Sequence, residues 1–374
     1  MNWSRFLAIL IKEFRQLRRD RLTFAMMVGV PILQLVLFSY AINTDPKHLP
    51  MAVVMADESE FSRSLISGLE NSSYFRVVAR ARSEAAGNHL LDAGRVQFLL
   101  VVPPDFSRRL LRGEQPSILL AADATDPAAS GNALATVNAI ARQVALRDLQ
   151  GATGTAYNAP APFDIRVQRR YNPEGISRYN IVPGLIGVIL TMTMVMMTAL
   201  AITRERERGT MENLLATPVS PLEVMVGKIA PYILIGYVQV AVVLVAARLL
   251  FDVPMVGSLA LLSLALVVFM AATLAVGFAF STMAKSQLQA MQLTFFFFLP
   301  SMLLSGFMFP FRGMPGWAQA IGEILPLTHF LRIVRGIMLK GNGFGEILPS
   351  LWPIALFMLA AGALALIRYR QTLD

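Results

Sequence analysis

Catalysis within a single chain needs reactive side chains at set spacings, and here they are scarce. There is no cysteine, which excludes disulfides, thiolate metal ligands and cysteine nucleophiles. The three histidines, His48, His89 and His329, are scattered without ligand spacing and read as structural. No His-Glu-x-x-His pair and no Gly-x-Ser-x-Gly elbow occurs. A loop that cradles phosphates needs Gly-x-x-x-x-Gly-Lys-Ser/Thr. The one Gly-Lys pair, Gly227-Lys228, lacks the upstream glycine. The chain therefore reads as no enzyme and as binding no cofactor or metal of its own.

What does cluster is charge at the end of an apolar run. Arg204-Glu205-Arg206-Glu207-Arg208 extends that run as a charged helix. Gly209 can break it, Thr210–Ala216 makes a short helix through Glu212, Asn213 and Leu214, and Thr217-Pro218 ends it, because a residue before proline leaves the helical region. Ser220-Pro221-Leu222-Glu223 starts the next helix: Ser220 caps, Pro221 takes the first turn and Glu223 closes the capping box. A connection between two helices needs only a few residues. An ordered pair of helical pieces at this point suggests a docking surface, whereas composition alone favours a charged cap on a span.

The elements that would position this segment are membrane spans. Of 374 residues, 55% are hydrophobic and 15% charged, against about 25% charged in soluble domains. This excludes a disordered chain, a basic nucleic-acid-binding domain and an ordinary soluble enzyme. A helix crosses the hydrocarbon core with about 20 apolar residues. Six runs qualify, near Leu22–Ile42, Tyr179–Ile202, Ile229–Phe251, Ser258–Thr282, Gln287–Phe309 and Ile347–Ile367. The first is about twice as long as a signal-peptide core and reads as a span. Ionisable groups are nearly absent within the runs, which weighs against an ion-driven carrier. Gln34, Gln239 and Gln292 read as helix-to-helix hydrogen-bonding groups.

The net charge of +9 is unevenly spread. Arg5, Lys12, Arg15, Arg18, Arg19 and Arg21 precede the first span, Arg204, Arg206, Arg208 and Lys228 follow the second, and Arg368 and Arg370 follow the last. With six spans these all lie on one side, expected to be cytoplasmic, as are both termini. Arg312, Arg332, Arg335 and Lys340 fall on the other side, and Arg332, Arg335 and Lys340 are expected to reach lipid headgroups. Residues 1–21 form an amphipathic interfacial helix with Trp3, Phe6, Leu10 and Phe14 at helical spacing.

Residues 43–178 carry 15 basic and 14 acidic residues and alternate strand and helix patterns, as a small extracytoplasmic α/β domain does. Strands are expected at Met51–Ala56, Phe75–Ala81, Gln97–Val102, Ile118–Ala122 and Arg166–Tyr171. Helices are expected at Phe61–Leu69 behind an Asp57/Glu60 capping box, at Ser83–Ala93 and Pro104–Arg112, and from Asp126-Pro127 to Gln150. In 310–346, Pro310 and Pro315 precede an apolar helix Trp317–Leu325, Pro326 breaks it, and Thr328 caps a second helix His329–Leu339. This pattern reads as a re-entrant or interfacial hairpin. The expected class is an α-helical polytopic membrane protein, six transmembrane helices with an inserted extracytoplasmic α/β domain. Its parts are 1–21, 22–42, 43–178 and 179–374, the last containing the segment 204–228 and the hairpin 310–346.

The basic amphipathic start, the stretch from Glu205 to Pro218, Glu223 with Gly227-Lys228, and Leu304-Ser305-Gly306-Phe307 with Pro310, Pro315, Trp317 and Pro326 resemble the ABC type-2 transporter permeases of the type V exporter fold. The likeness is to the bacterial branch with a large domain between spans one and two. It implies a permease subunit of the bacterial inner membrane, paired with a second permease subunit and driven by separate ATPase subunits that hold ATP and magnesium. By the same resemblance the N-terminal helix and 209–218 meet the ATPase, with Glu212 the foremost carboxylate, and a periplasmic membrane-fusion adaptor meets the α/β domain. The expected cargo is a hydrophobic or amphiphilic, drug-like compound. A lipid or glycan exporter of the same family, or a membrane-anchored sensor or scaffold, stands as the alternative. Membrane lipid is an expected partner and nucleic acid is not.

Overall fold

A computed structural model describes residues 46–153, 163–207 and 221–368. The expected interfacial helix over 1–21, the first span over 22–42 and the segment from Gly209 to Pro218 lie outside them.

Residues 49–170 build a five-stranded sheet. Its strands are β1 (Leu49–Met55), β2 (Phe75–Arg80), β3 (Phe98–Val102), β4 (Ser117–Asp123) and β5 (Asp164–Arg170), in the order β2-β1-β3-β4-β5. Neighbours run parallel except β3 and β4. The patterns explain the order. β1 is buried along almost its whole length, as a strand covered on both faces must be, whereas at the edges β2 exposes alternate residues and β5 most of its residues, burying only Ile165. Four helices pack around the sheet: α1 (Glu60–Asn71), α2 (Glu84–Asp92), α3 (Phe106–Leu111) and α4 (Pro127–Thr153). The core closes on edge-to-face rings, Phe75 with Phe98 at 5.1 Å and Phe106 with Phe163 at 5.5 Å.

The expected Asp57 cap is corrected. Ser59 caps α1, its hydroxyl accepting from the Ser62 N–H. Asp57 sits two residues too early and instead accepts the Ser59 N–H at 3.0 Å, the Ser107 N–H at 2.8 Å and the Ser107 hydroxyl at 2.7 Å. It thus ties the starts of α1 and α3 together.

Beyond the sheet, five helices among the described residues are long and apolar enough to cross a membrane. They are α5 (Ser177–Glu207), α6 (Pro221–Phe251), α7 (Leu259–Met283), α8 (Gln287–Leu304) and α11 (Phe344–Arg368). α7 is central and packs on α5 and α11. Gly277 allows this approach, since a Cβ there would lie 2.5 Å from the Val195 carbonyl oxygen. The few polar groups are satisfied locally. Thr191, Thr198 and Thr203 each donate to the carbonyl four residues earlier, and Thr193 also donates to Gln239 Oε1 at 3.0 Å. α6 by contrast leaves many of its described apolar side chains uncovered, Leu249 being 75% exposed.

Between α8 and α11 lie the turn Phe311–Gly313, α9 (Gly316–Gly322), α10 (Pro326–Arg335) and a π-helical turn Gly336–Lys340. The helix expected at Trp317–Leu325 ends earlier, at Gly322, and the one expected at His329–Leu339 begins three residues earlier, at Pro326. Pro315 caps α9, and Pro326 starts α10 at its first turn. Neither proline breaks a helix, because the missing N–H falls where no intrahelical partner exists. Thr328 is no cap: its hydroxyl donates to the Gly322 carbonyl at 2.6 Å, closing the bend between α9 and α10. Leu327, Phe330, Leu331, Ile333 and Val334 bury α10 among the long helices, with Phe330 stacked on Phe269 at 4.1 Å.

Candidate functional site

The described polar side chains gather at the two ends of the helical bundle. At one end α5 finishes in the charged residues Arg204, Glu205 and Glu207. Glu207 accepts the Gln287 N–H at 2.8 Å and Gln287 Nε2 at 2.5 Å. A side chain on α5 thereby caps α8. These two bonds, the side-chain one foremost, hold the Glu207 carboxyl below the usual carboxylate range. α6 begins at Pro221, so Glu223 falls in its first turn.

At the other end the α/β unit is fastened to the hairpin. Lys340 Nζ lies 2.5 Å from Asp123 Oδ2 at the end of β4, with the two side chains 8% and 9% exposed. It also donates to the Leu91 carbonyl at 3.3 Å and lies 5.0 Å above the Tyr171 ring. The Tyr171 hydroxyl donates to Asp92, and Asn342 Nδ2 donates to the Asp92 carbonyl at 3.3 Å. Burial and Asp92 both push the Tyr171 hydroxyl pKa upward, so it stays a donor.

Arg335 donates from Nη2 to Asn180 Oδ1 at 3.0 Å, from Nε to the Asn180 carbonyl at 3.3 Å and from Nη1 to the Gly306 carbonyl at 3.1 Å. Asn180 in turn donates to the Thr125 carbonyl at 2.9 Å. Arg332 makes a forked pair with Glu323, at 2.6 and 3.0 Å. Burial alone would raise the Glu323 carboxyl, but the Arg332 bonds and charge outweigh it and hold it below the usual range. These contacts enclose a cavity of about 490 Å³.

The expectation of lipid headgroup contact is thereby corrected for Arg335 and Lys340, while Arg332 pairs with Glu323 and stays 40% exposed. A guanidinium or ammonium that turns inward needs acceptors, and the sheet end, Asn180 and Glu323 supply them. Pro310 and Pro326 are buried in the same region, Pro315 is half-buried, and Trp317 is exposed on α9. Of the residues expected at the docking segment, Glu205, Glu207 and Glu223 fall in described helices. Gly209, Thr210, Glu212, Asn213, Leu214 and Pro218 lie outside the described residues, as do Trp3, Phe6, Leu10 and Phe14. Asp123, Tyr171 and Asn180 were not singled out in the sequence. No local signal marks them, since each is defined by a partner far along the chain. Among the described residues no cluster of histidine and carboxylate side chains could hold a metal ion.

Polar residues at both ends of an apolar bundle, with long apolar helices between, fit a membrane-spanning protein. Comparison with known proteins gives the family. The chain is 29% identical to a probable multidrug ABC transporter permease, YbhS of Escherichia coli, over 91% of this chain and 90% of that one. It is 28% identical to a second such probable permease, YbhR, over 99% of each chain. It is 29% identical to the inner membrane transport permease YhhJ of Escherichia coli, over 97% of this chain and 96% of that one. The model of the ABC-2 family transporter proteins matches residues 21–367, so the chain belongs to that family and is a multi-pass membrane permease.

Proposed function

We propose that this chain is the membrane-spanning subunit of an ATP-driven exporter that moves hydrophobic or amphiphilic, drug-like compounds out of the cytoplasm or the inner membrane. The observation that carries the reading is full-length likeness to permeases named for multidrug transport, joined to a bundle whose described spans hold almost no ionisable groups at depth. Such a wall suits an apolar cargo and leaves nothing to relay ions.

The energy comes from separate ATPase subunits, which hold ATP and magnesium. They dock on residues 204–228 and on the N-terminal helix, with Glu212 foremost. The Glu207–Gln287 cap ties α5 to α8 next to that segment, so a push on the segment reaches two spans together. Docking transmits work only if the two states of the ATPase pair contact the permease with different free energy. A second permease copy, the same or related, completes the path. Sidedness follows the basic residues: both termini and 204–228 face the cytoplasm, and the α/β unit faces the periplasm, where an adaptor protein is within its reach.

The test is co-purification. The intact permease expressed with its neighbouring ATP-binding protein should carry that protein through purification. Glu212→Arg should release it while the permease still reaches the membrane. Labelling that placed 204–228 on the periplasmic side would overturn the reading.

A further inference from the structure

The hairpin ends in the π-helical turn Gly336–Lys340, and two other parts of the molecule are tied to that turn. Lys340 and Asn342 hold the α/β unit, through Asp123 and through the Leu91 and Asp92 carbonyls. The same turn holds residues 252–258, the connection between α6 and α7. The Val256 N–H donates to the Met338 carbonyl at 3.0 Å. Gly257 lies against the neighbouring carbonyl, since a Cβ there would be 2.4 Å from the Ile337 oxygen. Main chain makes both contacts, and the Val256 side chain is 62% exposed.

The wide register of the turn is what leaves those carbonyls to the connection. Gly341 has φ +74°, the left-handed conformation on which helices commonly end. In the usual form of that ending, the N–H of the left-handed residue and the one after it return to the last turn, which here would join Gly341 to Met338 and Asn342 to Ile337. Instead both N–H groups go to the Gly336 carbonyl. Gly336 permits this, because a Cβ there would lie 2.8 Å from Asn342 Nδ2. The Met338 carbonyl therefore has two rival donors, Val256 and Gly341, and each belongs to a different closure of the turn. A π-helical turn of this kind often marks a functional site.

We propose that this turn is a latch with two positions. In the wide position, Met338 holds the α6–α7 connection while Lys340 and Asn342 hold the α/β unit. In the tight position Val256 has withdrawn and the Met338 carbonyl takes the Gly341 N–H. Asn342 then closes on Ile337 and Lys340 turns about the helix axis, so both leave the α/β unit. Movement of α6 is in this way exchanged for release of the α/β unit. The latch is a property of the turn alone; only its use during export rests on the function proposed above.

Hydrogen exchange of the intact protein in mild detergent, read by mass spectrometry, reports local opening segment by segment. Val256→Pro removes the N–H that holds Met338. Loss of that one bond should raise exchange about fivefold in 338–342 and also in 91–97, with α1 and α7 at the native rate. Val256→Ala keeps the N–H and should change neither segment. Coupling between two sites is reciprocal, so Lys340→Met should raise exchange in 252–258 relative to α1. This second variant keeps the test alive should Val256→Pro fail to fold. Native exchange in 91–97 of a folded Val256→Pro protein overturns the latch, as does native exchange in 252–258 of a folded Lys340→Met protein. An equal effect of Val256→Ala overturns it too, because the side chain and not the N–H would then make the contact. No ATPase and no cargo enter these measurements, so the latch and the exporter reading can fail separately.

Discussion

Asp123 and Lys340 are 217 positions apart in the chain and 2.5 Å apart in space. Each is buried, so neither can lose the other without losing its ionic partner away from water. Lys340→Met should cost about 3–5 kcal/mol, because the Asp123 carboxyl is then left with the Thr125 hydrogen bonds alone. Asp123→Leu with Lys340→Met should recover much of that loss, since the orphan is gone. Thermal unfolding of the purified single and double variants reads both, and a double variant no more stable than the single would contradict the pairing. Asp57 gives a pH signature. Its partial burial acts to raise its pKa, but the Ser107 and Ser59 hydrogen bonds act more strongly and hold it below the usual range. A carboxyl depressed in the folded state adds stability above its unfolded value of about 3.9 and loses it as pH falls through the folded value. The melting difference between native protein and Asp57→Asn should be full at neutral pH and close below about pH 4.

Helix-to-helix approach is set by single atoms, and Gly277 is the clearest case. A Cβ there would lie 2.5 Å from the Val195 carbonyl oxygen and 2.9 Å from the Thr198 Cβ, and backbone cannot give way as a flexible side chain can. Gly277→Val should therefore prise α5 from α7 and lower stability by more than the usual overpacking cost of about 1–3 kcal/mol. The fraction recovered as monodisperse protein in detergent measures it, with Gly131→Ala, at an open position, as the control. The same elements show what a sequence can hold. The strands and helices of the α/β unit were legible because alternation and Ser caps are local: Ser83, expected at the start of its helix, is the N-cap of α2. The five described spans were legible from apolar length. The hairpin was harder. Proline both ends and begins helices, and only burial of Leu327 and Phe330 decides that Pro326 begins one. The pairing of Lys340 with Asp123 and Leu91 and of Arg335 with Asn180 was not legible at all, because these bonds join residues more than 150 positions apart, and no pattern in a window of the chain records such a pairing.

An exporter has to open on the side from which cargo leaves, and the contacts that hold that side closed have to be weaker in one state than in the other. On the reading proposed here, that side carries the α/β unit and the hairpin, joined by Lys340 to Asp123, Asn342 to Asp92 and Arg312 to Gly94. Buried polar contacts are suited to such a role: they are strong when made, and water can replace them when the junction parts. The chain has no cysteine, so paired thiols can be placed at this junction without competition. Asp123→Cys with Lys340→Cys removes both charges together and leaves no orphan. Bridging the two thiols with a short cleavable reagent should then stop export, and reduction of the bridge should restore it. The unbridged double variant reports what loss of the ion pair alone does. Export undiminished in the fully bridged protein would mean that the hairpin and the α/β unit move as one body through the cycle, and that the path opens elsewhere.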